Sequence, residues 1–213
     1  MATIGIDYTP AYEQGGGIGR YVRELTSALL DVETPHDFRF FVAGVDGSVP
    51  EFRHSAATSC PTRISTKWLA RIWHRAHLPL PIETFTGPLD LYHATDFVLP
   101  PTHPKTKSLL TVHDLSFLRA PETAAPRLRR YLERVVPNSV KCANHILADS
   151  EATRRDLMDV YGTSSAKITV LLSGVDQHFR PVTDQATLKA VREKYGIGIE
   201  SPYIFTIGTV QPR

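Results

Sequence analysis

The feature that most limits the fold of this chain is a glycine-rich turn between a strand pattern and a helix pattern. Residues 3–8 form a short apolar strand pattern, three glycines follow at 15–17, and apolar side chains recur at helical spacing from Ile18 to Leu29. Glycines at such a turn let backbone N–H groups approach a ligand, and the helix N-terminus adds partial positive charge. This order of elements is typical of the opening of a nucleotide-binding α/β domain.

Further strand and helix patterns alternate along the chain. A strand, a helix and a second strand at this spacing imply a right-handed parallel crossover. Residues 46–60 lose the pattern and are predicted to form a loop. The repeated alternation predicts an α/β fold with a Rossmann-like, doubly wound parallel sheet. The predicted strands are 3–8, 38–44, 89–95, 107–113, 145–149 and 167–172.

The same patterns predict two domains. The alternating series ends near Pro181, which makes residues 1–181 an N-terminal domain. Asp184 is placed to cap a following helix, and the apolar run Tyr203–Ile207 reads as a buried strand that leads into Gly208. We therefore expect residues 182–213 to be a linker helix and the first strand of a second domain, truncated after Arg213.

Composition excludes several classes of protein. The chain has 213 residues, a net charge of +2 and no basic tail, so no nucleic-acid partner is expected. Its two cysteines lack a C-x-x-C partner, its start lacks the features of a signal peptide, and no apolar run is long enough to span a membrane. These features predict a cytoplasmic protein. The nine histidines show no metal-ligand spacing, so no metal or other cofactor is expected.

A basic segment with two tryptophans allows two interpretations. Trp68, Leu69, Ile72 and Trp73 lie at helical spacing. The same segment carries Arg71 and Arg75, and no acidic residue occurs from residue 52 to 82. Such a helix can lie on an anionic membrane surface, which would place the protein peripherally on the inner face of a membrane. The alternative is a core-facing helix with a solvated charged side.

Polar side chains stand at the ends of two predicted strands. His113 and Asp114 end the strand that begins at Lys107, and His93 and Asp96 end the strand before it. In open α/β sheets the carboxyl ends of the strands face the crevice that binds ligands. These residues are therefore expected to share one site.

Five stretches are compared together, in chain order: Gly15-Gly16-Gly17-Ile18-Gly19-Arg20-Tyr21, Thr111-Val112-His113-Asp114, Ala148-Asp149-Ser150 with Thr153, Leu172-Ser173-Gly174-Val175-Asp176 with Phe179 and Pro181, and Gly208-Thr209 with Pro212-Arg213. In this order they resemble motifs of retaining glycosyltransferases with the GT-B fold, in particular family 4. The resemblance covers essentially the whole chain. Ser173 stands where the linker motif often has asparagine, and Thr209 stands where many members have an arginine that binds the donor phosphates.

The resemblance implies the N-terminal half of a GT-B fold and the transfer of a sugar from a nucleotide sugar with retention of anomeric configuration. Family members place the acceptor mainly on the first domain and the donor mainly on the second, and the paired glutamates of the family lie beyond Arg213. The resemblance implies His113 as the catalytic residue, which contacts the donor sugar, and Gly16, Gly17, Gly19 and Arg213 as ligands of the donor phosphates. The candidate acceptor residues are His93 and Asp96, from their place at the strand end, together with Asp114 and Ser150. Asp114 either fixes the tautomer of His113 or caps the next turn.

The resemblance leaves the substrates open. The final motif is reminiscent of members that use GDP-mannose, which suggests a mannosyltransferase of polysaccharide biosynthesis with a glycan or lipid-linked acceptor. Without the missing C-terminal domain, the chain alone is expected to be inactive. Two other functions are considered. One is a non-catalytic sugar- or lipid-binding module. The other is an NAD-dependent oxidoreductase, against which the glycine spacing argues, because Gly15-x-Gly17 leads to Arg20 rather than to a third glycine.

Overall fold

A computed structural model describes residues 1–48, 51–52, 54–76, 78–176, 178–198 and 201–208. The chain divides into two compact units, the first ending at Leu172 and the second beginning at Ser173. The first unit therefore ends before residue 181, where the sequence pattern places the domain boundary. The identity of residues 182–213 as the start of a second domain stays a prediction.

The first unit contains a parallel sheet with seven strands among the described residues: β1 (Thr3–Asp7), β2 (Asp37–Val42), β3 (Ala57–Pro61), β4 (Leu91–Ala94), β5 (Lys107–Val112), β6 (His145–Ala148) and β7 (Ile168–Val170). Every neighbouring pair runs parallel, as the strand–helix alternation predicts. The spatial order is β3-β2-β1-β4-β5-β6-β7, so the direction of winding reverses between β1 and β4. This confirms the predicted doubly wound, Rossmann-like α/β fold.

Helices connect these strands and cover the sheet. Ser150 caps the seventh helix through a hydrogen bond that its Oγ accepts from the N–H of Thr153 (3.1 Å), and Asp184 caps the eighth in the same way. A π-helical turn, Arg71–Arg75, continues the third helix directly. The helices are α1 (Thr9–Glu13), α2 (Gly17–Asp31), α3 (Thr66–Ala70), α4 (Glu83–Thr86), α5 (Ser116–Arg119), α6 (Pro126–Cys142), α7 (Glu151–Tyr161) and, in the second unit, α8 (Gln185–Lys194).

The core lies on the central strands. Tyr92 of β4, Leu110 of β5 and Ile146 of β6 are fully buried in one continuous apolar cluster. Burying such side chains stabilises the fold by roughly 1.5–3 kcal/mol each. A smaller cluster is formed by Ile6 of β1 together with Phe38 and Phe40 of β2. The central strands are buried on both faces because helices cover both, which is why their sequences read as continuous apolar runs.

Two predictions about elements are wrong. Strand β3 begins at Ala57, inside the stretch 46–60 that the sequence predicts to be a loop, because an edge strand with the sequence Ala-Thr-Ser-Cys-Pro lacks an apolar signal. Residues 203–207 were predicted to be a strand, but the structure shows no strand pairing there. Ile204 is 99% exposed, and an extended segment becomes a strand only when a neighbour pairs with its backbone.

Candidate active site

The candidate site lies at the carboxyl edge of the sheet, where the strand order reverses. Asp7 ends β1, and Asp96 follows β4, the neighbour of β1 across the reversal. The hydroxyl of Thr95 donates a hydrogen bond to the carbonyl of Asp7 (2.7 Å), which joins the two strand ends. Ligands of open α/β sheets bind at such a switch point. The topology therefore marks this edge as the place where a ligand is expected.

His113 follows β5 and is held at both ring nitrogens. Its Nδ1 lies 2.7 Å from Oδ2 of Asp149, and its Nε2 donates to the carbonyl oxygen of Thr95 at 3.0 Å. The ring also makes edge contacts with Tyr21 of α2 and with Phe97, at centroid distances of 5.1 and 5.5 Å. The side chain is only 9% exposed. His113 is therefore a fixed group whose orientation three neighbouring elements determine.

The surroundings of His113 favour its protonated form. Burial alone lowers the pKa of His113, but the hydrogen bond and the charge of Asp149, followed by the charge of Asp96 and the bond to Thr95, raise it above its ordinary value. A ring that donates from Nε2 to a carbonyl and faces a carboxylate at Nδ1 carries a proton on each nitrogen when the carboxylate is ionised. The arrangement places a positive charge at this edge of the sheet.

The stretch Ala148-Asp149-Ser150 with Thr153 contacts the backbone of the same histidine. Thr153, on the first turn of α7, donates from its Oγ1 to the backbone carbonyl of His113 at 3.0 Å. Ser150 caps α7 and holds Thr153, since the two hydroxyls lie 3.0 Å apart. The two predicted motifs therefore meet in space. Ser150 acts here on the backbone of the site, and its predicted contact with an acceptor stays a prediction.

The other predicted acceptor residues occupy three different environments. His93 pairs with Ile6 inside the sheet and is buried, with Nε2 2.8 Å from Oγ1 of Thr111. Burial, and then the charge of His113, lower the pKa of His93 to about 4, so this ring is neutral at neutral pH. The carboxylate of Asp114 accepts from the N–H of Ser116 at 2.8 Å. Of the predicted set, Asp96 is the residue that reaches the wall of the pocket.

The glycines of the turn differ in the space around their Cα atoms. A Cβ at Gly15, Gly16 or Gly17 would meet no atom within 4 Å, whereas a Cβ at Gly19 would lie 2.0 Å from the backbone oxygen of Gln14. Gly16 is the N-cap of α2, and no side chain caps that helix. The first N–H groups of α2 therefore point toward an open surface that suits an anion. Arg213, the other predicted phosphate ligand, lies outside the described residues.

A pocket of about 590 Å³ opens beside these groups. Gln14 and Ile18 link it to the glycine turn, and Phe97 links it to the ring of His113. Phe97 has a positive φ of 54°, which costs a non-glycine residue roughly 1–3 kcal/mol and is typical of functional loops. The carboxylates in its wall belong to Asp7, Glu13 and Asp96, and the large aromatic side chains belong to Phe41, Trp73, Tyr92, Phe97 and Tyr131.

Burial perturbs the acids of the pocket. Desolvation raises the pKa of Asp7 to about 6, hydrogen bonds from Thr9 work against that rise, and the charges of Asp96 and Glu13 add to it. Desolvation also raises the pKa of Asp96, whose Oδ2 accepts a hydrogen bond from the side chain of Gln14 at 3.1 Å. Carboxylates that are kept in a cleft at this energetic cost are candidates for ligand contacts.

Sequence analysis assigned no role to Asp7 or Asp149, although Asp149 lies in the motif Ala148-Asp149-Ser150. Both stand at the carboxyl end of a predicted strand, as the last polar residue of the runs TIGID and HILAD. An acid at the end of a buried parallel strand is the signal that would have found them. Trp73 and Tyr131 lie far apart in sequence and meet at the pocket only in the folded chain.

The basic tryptophan segment has two different faces. The indole N–H of Trp73 donates to the carbonyl of Leu80 at 2.8 Å, and the ring packs toward the core. Trp68 is 58% exposed and stacks with Arg71, whose guanidinium carbon lies 4.6 Å from the ring centre. In the parts of the chain that the structure covers, no helix has both the length and the apolar character needed to cross a membrane.

Comparisons with known proteins add an independent line of evidence. A family model described as Glycosyltransferase Family 4 matches residues 15–179. The chain is similar to O-antigen chain mannosyltransferase B of Escherichia coli, with 27% identity over 123 residues, which are 58% of this chain and 31% of that protein. It is also similar to D-inositol 3-phosphate glycosyltransferase of Kineococcus radiotolerans, with 34% identity over 74 residues, 34% of this chain and 16% of that protein. The matches thus span about a third or less of the curated relatives.

Proposed function

Because this chain belongs to glycosyltransferase family 4, we propose that it forms the acceptor-side part of an enzyme that transfers a sugar from a nucleotide sugar to a glycan or lipid-linked acceptor with retention of configuration. The observation that carries the proposal is His113 at the carboxyl edge of the sheet, which Asp149 and the carbonyl of Thr95 hold at both ring nitrogens and which contacts Phe97 in the wall of the acidic pocket. A second, nucleotide-sugar-binding domain completes the enzyme in this proposal.

The leaving group explains why such a site suits the reaction. A departing nucleoside diphosphate gains negative charge, so the transition state is stabilised by donors and positive charges that are already in place. The uncapped N-terminus of α2 at Gly16 and Gly17 supplies backbone N–H groups, and His113 supplies a positive charge. Because Asp149 and Thr95 occupy both ring nitrogens, His113 acts through its charge and does not remove a proton.

The finer substrate assignments are part of the proposal. GDP-mannose as donor is supported by the final sequence motif and by the likeness to an O-antigen chain mannosyltransferase. The two relatives have names that point to different acceptors, a polysaccharide chain and an inositol phosphate. We favour a polysaccharide or lipid-linked glycan. The exposed Trp68 and Arg71 fit peripheral contact with the inner face of a membrane, and no metal is proposed.

Two other functions remain as alternatives to transfer. An NAD-dependent oxidoreductase is disfavoured because the family match covers the glycine turn on which such a function would depend. A sugar- or lipid-binding module needs the same pocket but no donor. Transfer and binding alone therefore differ in whether a nucleoside diphosphate is released.

Release of nucleoside diphosphate tests the proposed function. The assay uses a protein in which this chain is followed by the proposed second domain, a panel of UDP-, GDP- and ADP-sugars, and a bacterial polysaccharide acceptor. We expect release that depends on the acceptor and is fastest with GDP-mannose, and no release by the 213-residue chain alone. Failure of every donor to react would leave the binding module as the better assignment.

A further inference from the structure

The geometry points to a pocket that accepts an uncharged, hydroxyl-rich sugar and rejects a sugar that carries a phosphate. This inference rests on the proposed function, because it assigns the chemical class of the acceptor to that enzyme. It concerns the 590 Å³ pocket bounded by Asp7, Glu13 and Asp96. The glycine turn, where an anion is expected, lies next to the pocket and forms a separate part of the site.

The size and place of the pocket fit a small ligand. Its volume falls within the range of about 300–1,000 Å³ that is usual for small-molecule sites. It lies at the switch point of the sheet, between the ends of β1 and β4 on one side and α3 and α6 on the other. The end of a glycan chain binds in such a cavity more readily than on a flat protein surface.

The charges in the wall determine which ligand fits. Asp7, Glu13 and Asp96 contribute three carboxylates, and no lysine or arginine lines the pocket among the residues that the structure describes. His74 is the lining side chain that can become positively charged. Phosphate groups are normally bound by arginine, lysine or free backbone N–H groups. A phosphate dianion in this pocket would face like charges that burial leaves poorly screened.

The polar groups in the wall suit hydroxyl donors. An ionised carboxylate accepts hydrogen bonds and donates none, and each sugar hydroxyl has a proton to donate. Tyr92 is fully buried and lines the pocket, and its hydroxyl has no hydrogen-bond partner in the described part of the chain. A buried hydroxyl without a partner is uncommon and points to a partner that a ligand supplies.

The aromatic part of the wall suits the other surface of a sugar. Trp73 and Tyr131 line the pocket opposite the sheet edge, and the N–H of Trp73 is already bonded to Leu80. Their rings are therefore left to make apolar contact, which a sugar ring offers through its C–H face. Acids on one side and aromatic rings on the other match the two surfaces of an uncharged pyranose.

Binding of two matched probes tests this inference. Titrations of the 213-residue chain with mannobiose and with mannose 6-phosphate, followed by NMR, compare an uncharged and a phosphorylated sugar. We expect mannobiose to bind at least ten-fold more tightly. Asp96→Asn is expected to weaken mannobiose binding at least five-fold and to reduce the preference between the probes. Glu33→Gln, at an exposed turn outside the pocket, serves as the matched control and is expected to change neither.

The outcomes separate this inference from the proposed function. Equal or tighter binding of mannose 6-phosphate, or no binding of mannobiose, would overturn the inference even if the complete enzyme transfers sugar. The expected preference without any release of nucleoside diphosphate would support the pocket assignment and overturn the proposed transfer reaction.

Asp7→Asn provides a second variant. It removes a charge that burial disfavours, so the variant is expected to fold and to bind mannobiose more weakly, as Asp96→Asn does.

Discussion

Replacing Gly19 by alanine is expected to destabilise the first unit strongly, whereas the same change at Gly17 is expected to leave its stability unchanged. The added Cβ at Gly19 would lie 2.0 Å from the oxygen of Gln14 and 2.8 Å from the oxygen of Pro10. Both are backbone atoms, so relief requires α1 and α2 to move apart. We expect a loss of roughly 3 kcal/mol, or roughly 6–12 °C in melting temperature.

The measurement is thermal unfolding of the two variants beside the parent chain. Gly17→Ala is the matched control, because its Cβ would enter open space in the same turn. A melting temperature of Gly19→Ala equal to that of the parent would show that the close packing of α2 on Gln14 is not present in solution. In the complete enzyme, Gly17→Ala is instead expected to weaken use of the nucleotide sugar.

Replacing His113 by alanine is expected to lower sugar transfer by the complete enzyme by roughly 10²–10³-fold, the usual loss when one preorganised stabilising group is removed from a transition state. The variant loses the positive charge and leaves the carboxylate of Asp149 and the carbonyl of Thr95 without their shared partner. The measurement is the rate of nucleoside diphosphate release. A variant that keeps more than half of the parent's rate would contradict the role of His113.

Asp149→Asn separates the charge of His113 from its position. The amide keeps the size of the carboxylate but removes its charge. The pKa of His113 is therefore expected to fall, because burial is then opposed only by the charge of Asp96 and the bond to Thr95. NMR titration of the ring measures this fall, and the transfer rate at neutral pH is expected to fall with it. The interaction between His113 and Asp149 also stabilises the fold. Because the pKa of His113 is higher in the folded than in the unfolded chain, this stabilisation is fully present below the unfolded pKa of about 6.5. It is lost as pH rises through the folded pKa.

Much of the fold was predictable because its strands are buried on both faces. Strands such as Asp37–Val42 and Lys107–Val112 are apolar enough to be recognised without knowledge of their neighbours. The edge strand Ala57–Pro61 was not, since one side of an edge strand faces solvent and its pairing with β2 is a tertiary property. The run Tyr203–Ile207 shows the reverse case, an apolar strand pattern without a partner.

The site was predictable only where local sequence decides position. His113 could be placed at the sheet edge because it directly follows a strand, and Ser150 could be placed at a helix start because its side chain caps the backbone three residues on. Sequence did not show that Asp149 would hold His113 or that Trp73 and Tyr131 would face Asp7. These relations depend on the order of the strands in space and on the packing of α3 and α6.

The stereochemistry of the product tests the central claim most directly. A complete enzyme that carries this chain is incubated with an α-configured nucleotide sugar and a glycan acceptor. The configuration of the new linkage is identified by the one-bond NMR coupling between its anomeric carbon and proton. An α-linked product, formed at a rate that falls when His113 is replaced, is the predicted result. A β-linked product, or no new linkage with any donor, would contradict the assignment of this chain to a retaining transfer reaction.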